Sequence, residues 1–294
     1  MSELRGLLAF FILRQAERVL PVEVLYRILQ ATAFVRAVLR DGFKKAPRPI
    51  ILPGCFHPAG TVQPRRLPRM GLYLNRSLQS FPDRLATPKW LKRFRIGGRE
   101  HLRSAQEKKR PIILAIWHAG PFPLVRYLLR AAGIPAAVLI GGDATEPSLL
   151  KRLGDRCSPF AEIPTTFSRQ QLREAVEFLG TKNPLVMAVD YLSGRQMRVP
   201  VRDGWSFLMA TGAIRLAIRH QAELVPCCLI EDGPWRFRIE LGRPVPAEHL
   251  TDPANLVPAG QHIILEMLNH LQKHPEQCPR HLIDLFQPDK ALSA

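Results

Sequence analysis

The chain has 294 residues, of which 46% are hydrophobic, so it can bury a large core as one domain or as two small ones. Its 42 Lys and Arg outnumber its 25 Asp and Glu, and the resulting net charge of +17 predicts an anionic partner: nucleic acid, a phospholipid surface or an acidic protein. Aromatic residues form only 7% of the chain, and there is no zinc-finger spacing, aromatic RNA-binding strand or basic low-complexity tail, which argues against nucleic acid.

Two amphipathic helices are predicted over residues 1–43. The apolar run over residues 7–13 is interrupted at Arg14, far short of the roughly 20 residues that a membrane-spanning helix needs. No small-residue cleavage site of a secretory signal follows it. The second helix, over residues 22–39, carries its apolar side chains mainly on one broad face. The pair fits either a membrane-interface segment, with basic residues at the lipid headgroups, or a helical hairpin that covers a sheet.

Residues 44–90 form a basic, proline-rich connection. They contain eight prolines and only short helical stretches, such as residues 70–78. Between residues 65 and 110 the chain has 14 Lys or Arg against three acids. This excess suggests a surface that meets phosphate or carboxylate groups, and a solvated face is the ordinary alternative. The predicted organisation is therefore a helical segment over residues 1–43, this connection, and an α/β domain over residues 91–294.

Beyond residue 91, short apolar runs alternate with amphipathic stretches, which is typical of an α/β domain. Strands are predicted at residues 94–96, 111–117, 136–140, 161–164, 185–189, 224–230 and 235–241. Helices are predicted at about residues 99–107, 121–129, 147–153, 169–179, 210–218 and 256–273. Asp232 and Gly233 join the last two strands, and this dipeptide is a hairpin signal. We predict a single mixed, mostly parallel sheet flanked by helices, with N-terminal amphipathic helices and a tail without recognisable chemistry.

The run over residues 111–117 is too short for a helix, has the length of a buried strand, and ends at His118. Ligands of open α/β sheets collect at the carboxyl ends of strands. His118 is therefore a candidate general base, and a structural hydrogen-bonding histidine is the alternative. Two acids, Asp143 and Asp190, follow other predicted strands and belong to the same edge of the sheet.

The cysteines are odd in number and scattered, without a spacing typical of zinc ligands. We expect a reducing, cytoplasmic environment, no structural disulfide and no metal site. One of the adjacent pair is expected to pack in the core as a small hydrophobic residue. The cysteines are Cys55, Cys157, Cys227, Cys228 and Cys278.

Five landmarks follow one another in a distinctive order. They are the GREHL helix entry at residues 98–102, the strand ending in histidine at 112–118, the strand ending in aspartate at 185–190, the small-residue stretch at 204–212 and the strand pair at 224–241. This order and spacing resembles the lipid A late acyltransferase family, of lauroyl or myristoyl type, within the lysophospholipid acyltransferase-like superfamily. The match covers roughly residues 95–245 and implies a glycerolipid acyltransferase-like fold with an N-terminal membrane-docking segment.

In that family the histidine is followed, after four residues, by an acid that orients the imidazole while it takes a proton from the acceptor hydroxyl. Here that position holds Pro123, which cannot pair with an imidazolium. His118 then acts without an orienting acid, or Asp190 or Asp143 supplies the carboxylate from a neighbouring strand end. Glu146 is a weaker candidate for the same role. In a third interpretation the chain keeps the fold and a lipid-binding groove with weak or no acyl transfer.

The resemblance also implies arginines that bind the substrate. Arg152 or Arg156 matches an arginine after the second strand that could hold a phosphate of donor or acceptor. Arg195, with Arg198 and Arg202 near it, could line a headgroup site. A solvated surface position is the alternative for each of these side chains.

Gly204, Thr211 and Gly212 match the small-residue stretch of the family. Backbone amides there could approach the thioester carbonyl and donate hydrogen bonds to it. The alternative is that the small residues serve helix–sheet packing.

The resemblance implies an O-acyltransferase that moves a fatty acyl group from acyl carrier protein or coenzyme A to a hydroxyl of a lipid or glycolipid, with His118 as the base. A thioester is already activated, so no metal or redox cofactor is expected. The expected location is peripheral, on the cytoplasmic face of a bacterial inner membrane, because anionic lipid and both donors suit the basic chain. The alternative is a lipid-binding protein with weak or no catalysis, and nucleic-acid binding rests on charge alone.

Overall fold

The computed structural model describes residues 2–41, 50–51, 61–62, 77–78, 82–139, 169–181, 183–190 and 194–288. The helices are α1 (Ser2–Val19), α2 (Val22–Asp41), α3 (Pro88–Leu91), α4 (Arg99–Glu107), α5 (Val125–Ala131), α6 (Arg169–Gly180), α7 (Gly212–His220), α8 (Val257–Leu271) and α9 (Arg280–Ile283). The strands are β1 (Ile50–Ile51), β2 (Thr61–Val62), β3 (Phe94–Gly97), β4 (Ile112–Ile116), β5 (Ala137–Leu139), β6 (Leu185–Ala188), β7 (Gln196–Pro200), β8 (Trp205–Ala210), β9 (Glu223–Gly233), β10 (Arg236–Leu241) and β11 (Phe286–Pro288). Short 3-10 turns lie at Pro82–Ala86, Phe122–Leu124, Ala247–Leu250 and Pro275–Gln277.

The central sheet has six strands in the order β3-β10-β9-β4-β6-β5. Four of its five neighbouring pairs are parallel, and the predicted hairpin of β9 and β10 is the antiparallel pair. Helices cover both faces, and α1 and α2 precede the sheet. The predicted fold class, a mixed and mostly parallel sheet flanked by helices, is confirmed.

Strand β4 lies inside this sheet and is buried on both faces. Ile112, Leu114 and Ile116 belong to the cluster under α2, α4 and α5, whereas Ile113 and Ala115 belong to the cluster under α6, α7 and α8. This is the alternation with a period of two that a strand imposes on its side chains. A strand covered on both faces reads as a continuous apolar run, which is why its sequence is so distinctive.

A second sheet, β11-β8-β7, is antiparallel and was not predicted. The sequence indicated a helix from Ala210, but α7 begins at Gly212 and the preceding residues form β8. Strand β8 is stabilised by pairing with β7 and with β11, which comes from a segment far along the chain. Such non-local pairing leaves no periodic signal within the strand itself.

Helices α1 and α2 pack against the domain with one face. The rings of Tyr26 and Trp235 meet edge to face with centroids 5.3 Å apart, and Glu17 is buried, accepting a hydrogen bond from Trp90 Nε1 at 2.9 Å. Each helix also leaves apolar side chains exposed: Leu8, Phe11, Ile12 and Val19 on α1, and Val24, Ile28, Phe34 and Val35 on α2. The two helices therefore cover the sheet, and they also present apolar side chains to the outside.

Several predicted elements lie wholly or mostly outside the described residues: the helical stretch at 70–78, the helix at 147–153 and the strand at 161–164. Among the residues that are described, no helix combines the length and apolar character needed to cross a bilayer. Cys227, Cys228 and Cys278 are buried free thiols.

Candidate active site

His118 stands just beyond the carboxyl end of β4, and its side chain is 29% exposed. Gly120 turns the chain away with φ of +57°, and a Cβ at this position would come within 2.5 Å of the Leu229 carbonyl oxygen. The Gly120 amide donates a hydrogen bond to the Gln277 carbonyl at 2.9 Å. The ring of Phe122 packs edge-on against the imidazole, with centroids 4.2 Å apart. The local backbone thus fixes the histidine at the edge of the sheet.

Asp190 lies opposite His118 because of the strand register. Strands β4 and β6 are parallel, with Ile116 paired to Ala188, so two further residues along each chain bring His118 level with Asp190. Asp190 Oδ1 is 2.8 Å from His118 Nδ1, and Oδ2 accepts the backbone N–H of His118 at 2.9 Å. The carboxylate therefore has two contacts to the same histidine.

The Asp190 side chain has no solvent exposure. Burial opposes its ionisation, but the contacts with His118 and His281 outweigh that effect and lower the pKa of Asp190 to about 2. The carboxylate is ionised at neutral pH. It is thus suited to hold the His118 ring with Nδ1 protonated and to stabilise positive charge on that ring.

A third polar residue at this place is His281, which sequence analysis missed. It lies in α9, its side chain is 58% exposed, and its Nε2 is 3.6 Å from Asp190 Oδ2. The centroids of the two imidazoles are 6.1 Å apart. A histidine in a tail without periodicity or a motif gives no signal of its own, because its position depends on how residues 275–288 pack.

The structure shows what surrounds Pro123, the position at which the resemblance implies an acid. Pro123 lies in the 3-10 turn Phe122–Leu124 that leads into α5, and the carboxylate beside the histidine comes from Asp190 on the neighbouring strand instead. Of the two strand-end acids considered first, Asp190 is in contact with His118. Asp143 lies outside the described residues, as does Glu146.

Two of the predicted backbone donors, Gly204 and Thr211, lie at opposite ends of strand β8. Thr211 is buried, and its N–H and hydroxyl both donate to the Arg195 carbonyl, at 3.0 and 3.1 Å. The neighbouring Ala210 amide donates to the Val189 carbonyl, which keeps Thr211 near the strand end that carries Asp190. Gly204 lies in the turn at the other end of β8, about 20 Å away along a six-residue strand. Thr211 and Gly204 therefore do not belong to one site.

The remaining predicted binding residues are less tightly placed. Gly212 is the first residue of α7, and a Cβ there would make an ordinary contact with Met187, so close packing does not require glycine. The Arg195 side chain is exposed. Arg152 and Arg156 lie outside the described residues.

The site has the parts needed for acid–base chemistry, namely a partly exposed imidazole and a buried, ionised carboxylate on its Nδ1. His118, Asp190 and His281 also form a group whose potential metal-ligating atoms all lie within 4.8 Å of one another. Among the described residues no other group of three such side chains meets this condition.

Comparison with known proteins places few constraints on this site. No family model matches the chain, and no curated protein sequence matches it. Among solved structures it is similar to the crystal structure of the 1-acyl-sn-glycerophosphate acyltransferase PlsC from Thermotoga maritima. The TM-score is 0.44 and the identity 15%, with 92% of this chain and 98% of that chain covered. We transfer no residue role from a likeness of this degree, and the lipid A late acyltransferase subfamily stays a prediction.

Proposed function

We propose that the protein is an acyltransferase that moves a fatty acyl group from an acyl thioester to a hydroxyl of a lipid or glycolipid. The observation that carries the proposal is the contact between His118 and the buried, ionised Asp190 at the carboxyl ends of two parallel strands. Together with the landmarks of the sequence, this pair supports the proposal: His118 serves as the base, and Asp190 serves as the orienting acid in place of the acid that is missing at Pro123.

In the proposed reaction Asp190 accepts a hydrogen bond from the protonated Nδ1 of His118, so that the free lone pair of the ring lies on Nε2. Nε2 takes the proton of the acceptor hydroxyl while the oxygen attacks the thioester carbonyl carbon. The carbon–sulfur bond then breaks, and the thiolate leaves with the proton that Nε2 carried. The products are an ester and a free thiol. The negative charge of Asp190 stabilises the imidazolium between these two transfers.

Action at a membrane surface is the second part of the proposal. Eight of the ten exposed large hydrophobic side chains in the described part of the chain lie on α1 and α2. Exposed apolar surface concentrated in this way is typical of an interaction site, and the net charge of +17 favours an anionic lipid bilayer as the partner. We propose peripheral binding to the cytoplasmic face of a bacterial inner membrane, where acyl carrier protein or coenzyme A thioesters are available.

The alternative is a lipid-binding protein with weak or no catalysis, which Pro123 and the apolar face of α1 and α2 favour. The two proposals differ at His118. A base is essential for acyl transfer, whereas lipid binding through α1 and α2 does not require an imidazole at the sheet edge.

The test uses full-length protein with anionic phospholipid vesicles that contain a lysophospholipid or an underacylated glycolipid as acceptor. Acyl-coenzyme A and acyl-acyl carrier protein of several chain lengths are supplied in turn, and thiol release and the mass of the product lipid are measured. We expect turnover by the wild type and its loss in His118→Ala. The matched control is His262→Ala, which removes a half-buried histidine whose Nε2 contacts the Arg243 carbonyl. Vesicle binding without turnover, equal in wild type and His118→Ala, would establish the lipid-binding alternative.

A further inference from the structure

The proposed acyl transfer uses His118 and Asp190 and assigns no role to His281. These three side chains come from the ends of β4 and β6 and from α9. Each Asp190 oxygen faces one imidazole: Oδ1 lies 2.8 Å from His118 Nδ1, and Oδ2 lies 3.6 Å from His281 Nε2. One potential ligand atom from each of the three residues, two imidazole nitrogens and a carboxylate oxygen, lies within 4.8 Å of the other two.

The distance to His281 is informative. At 3.6 Å it exceeds the range of a nitrogen–oxygen hydrogen bond, about 2.7 to 3.2 Å. It is close to the separation of about 3.3 Å between two ligands of a tetrahedral ion with bonds of about 2.0 to 2.1 Å. The spacing of Asp190 and His281 is therefore compatible with two ligands of one metal ion.

The backbone on both sides of His281 is held in place. Before it, the Gln277 carbonyl accepts the Gly120 amide, and the Gln277 side chain bonds both backbone groups of Glu231, at 2.9 and 2.7 Å. After it, the Leu285 carbonyl accepts the Leu208 amide at 3.0 Å. The imidazole itself is 58% exposed. With the backbone held on both sides, a rotation of the exposed ring can bring a third ligand to an ion without rearranging the fold.

We propose that His118, Asp190 and His281 form a binding site for a divalent transition-metal cation of the Zn²⁺ type. Two imidazoles and a carboxylate suit Zn²⁺, Co²⁺ or Fe²⁺, whereas Mg²⁺ and Ca²⁺ prefer oxygen ligands alone. Three protein ligands leave the fourth position to water or another small ligand. For His118 Nδ1 and Asp190 Oδ1 to be ligands of one ion, the proton between them would have to leave and the two atoms would have to separate by about 0.5 Å.

Metal binding stands apart from acyl transfer, but one consequence rests on the proposed function. An ion on His118 and Asp190 occupies the imidazole and neutralises the carboxylate that the base depends on. The metal is therefore an inhibitor of the proposed reaction and not its cofactor. Binding of Zn²⁺ and acceptor deprotonation by His118 exclude one another.

The first experiment titrates chelator-treated, full-length protein with Co²⁺ and follows the visible absorption of a tetrahedral complex, with Zn²⁺ as competitor. We expect one ion per chain and at least a ten-fold weaker binding in His281→Ala. The matched control is His274→Ala, because His274 Nε2 also lies 3.6 Å from a carboxylate, that of Asp232. It belongs to no group of three ligands in the described part of the chain. Thermal unfolding of each variant verifies that it is folded.

No Co²⁺ signal, or equal binding by wild type and His281→Ala, overturns the proposal. The second experiment measures acyl transfer with Zn²⁺ relative to the same protein with chelator. We expect inhibition of the wild type and a rightward shift of the inhibition curve in His281→Ala. Zn²⁺ binding without inhibition overturns the exclusion of metal and base. Metal binding by a protein without turnover would support this inference and contradict the proposed function. Turnover without metal binding would contradict this inference and support the proposed function.

Discussion

Replacing Asp190 with Asn tests the pair at the sheet edge with the smallest change of shape. Asp190 accepts two N–H groups of His118, one from the backbone and one from Nδ1. An amide offers one oxygen and one NH₂ group, so only one of these donors keeps an acceptor. If the oxygen stays on the backbone N–H, the NH₂ faces Nδ1, and the ring proton moves to Nε2. A ring protonated on Nε2 cannot take the acceptor proton.

The expected loss has two parts, the wrong tautomer and the missing charge beside the imidazolium. Together they should lower kcat by about 10² to 10⁴-fold, as for the corresponding change in catalytic triads, which is about 3 to 5 kcal/mol of transition-state stabilisation. KM should change little, because Asp190 is fully buried behind the histidine.

The assay is thiol release from the acyl donor at saturating acceptor, for wild type and Asp190→Asn, with unfolding midpoints measured in parallel. Asp232→Asn is the matched control. It removes the charge of another carboxylate 3.6 Å from a histidine, but at a partly exposed position away from β4. A kcat in Asp190→Asn within about three-fold of wild type, while His118→Ala is inactive, would refute the role of Asp190 as orienting acid.

Three further predictions concern the membrane, pH and the backbone. Phe11→Asp should weaken binding to anionic vesicles in a flotation assay, because it places a negative charge among the exposed apolar side chains of α1. Leu265→Asp, at an exposed position on α8, is the control and should leave vesicle binding unchanged. Equal effects of the two variants would contradict membrane binding through α1 and α2. Since the pKa of Asp190 is lowered in the folded state from 3.8 to about 2, its contribution of about 2 kcal/mol is present above pH 4 and is lost as pH falls towards 2. The difference in free energy of unfolding between wild type and Asp190→Asn should narrow over that range in urea titrations, and a constant difference opposes this explanation. Gly120→Ala should lower the free energy of unfolding by about 1 to 3 kcal/mol more than Gly133→Ala, which shares a positive φ but meets no neighbouring atom; similar losses would show that φ alone matters.

The sequence predicted the central sheet well because its signals are local. The fully apolar run of β4 and the turn signal after residue 230 are each readable within a few residues, and the structure has a strand and a hairpin there. The turn itself is displaced, because β9 extends through Asp232 and Gly233 and the chain reverses at Pro234 and Trp235. The contact between His118 and Asp190 follows from the same logic, since parallel strands bring their carboxyl ends to one edge.

The features that were missed depend on contacts between distant segments. Strand β8 is held by β7 and β11, and His281 reaches the site because residues 275–288 pack along β8 and the His118 loop. Neither depends on a repeating pattern of side chains. The contact of Asp190 with His118 likewise required the register of β4 with β6, which the continuous apolar run of a strand buried on both faces does not show.

The bond from Gly120 to Gln277 bears on how the protein is made. A nascent chain that has emerged from the ribosome through β10 already contains His118 and Asp190, but not the carbonyl that holds Gly120. The loop behind the histidine therefore gains this hydrogen bond only when Gln277 has been translated. We expect the newly synthesised chain to reach full turnover only after that late step, when the tail has packed against the His118 loop.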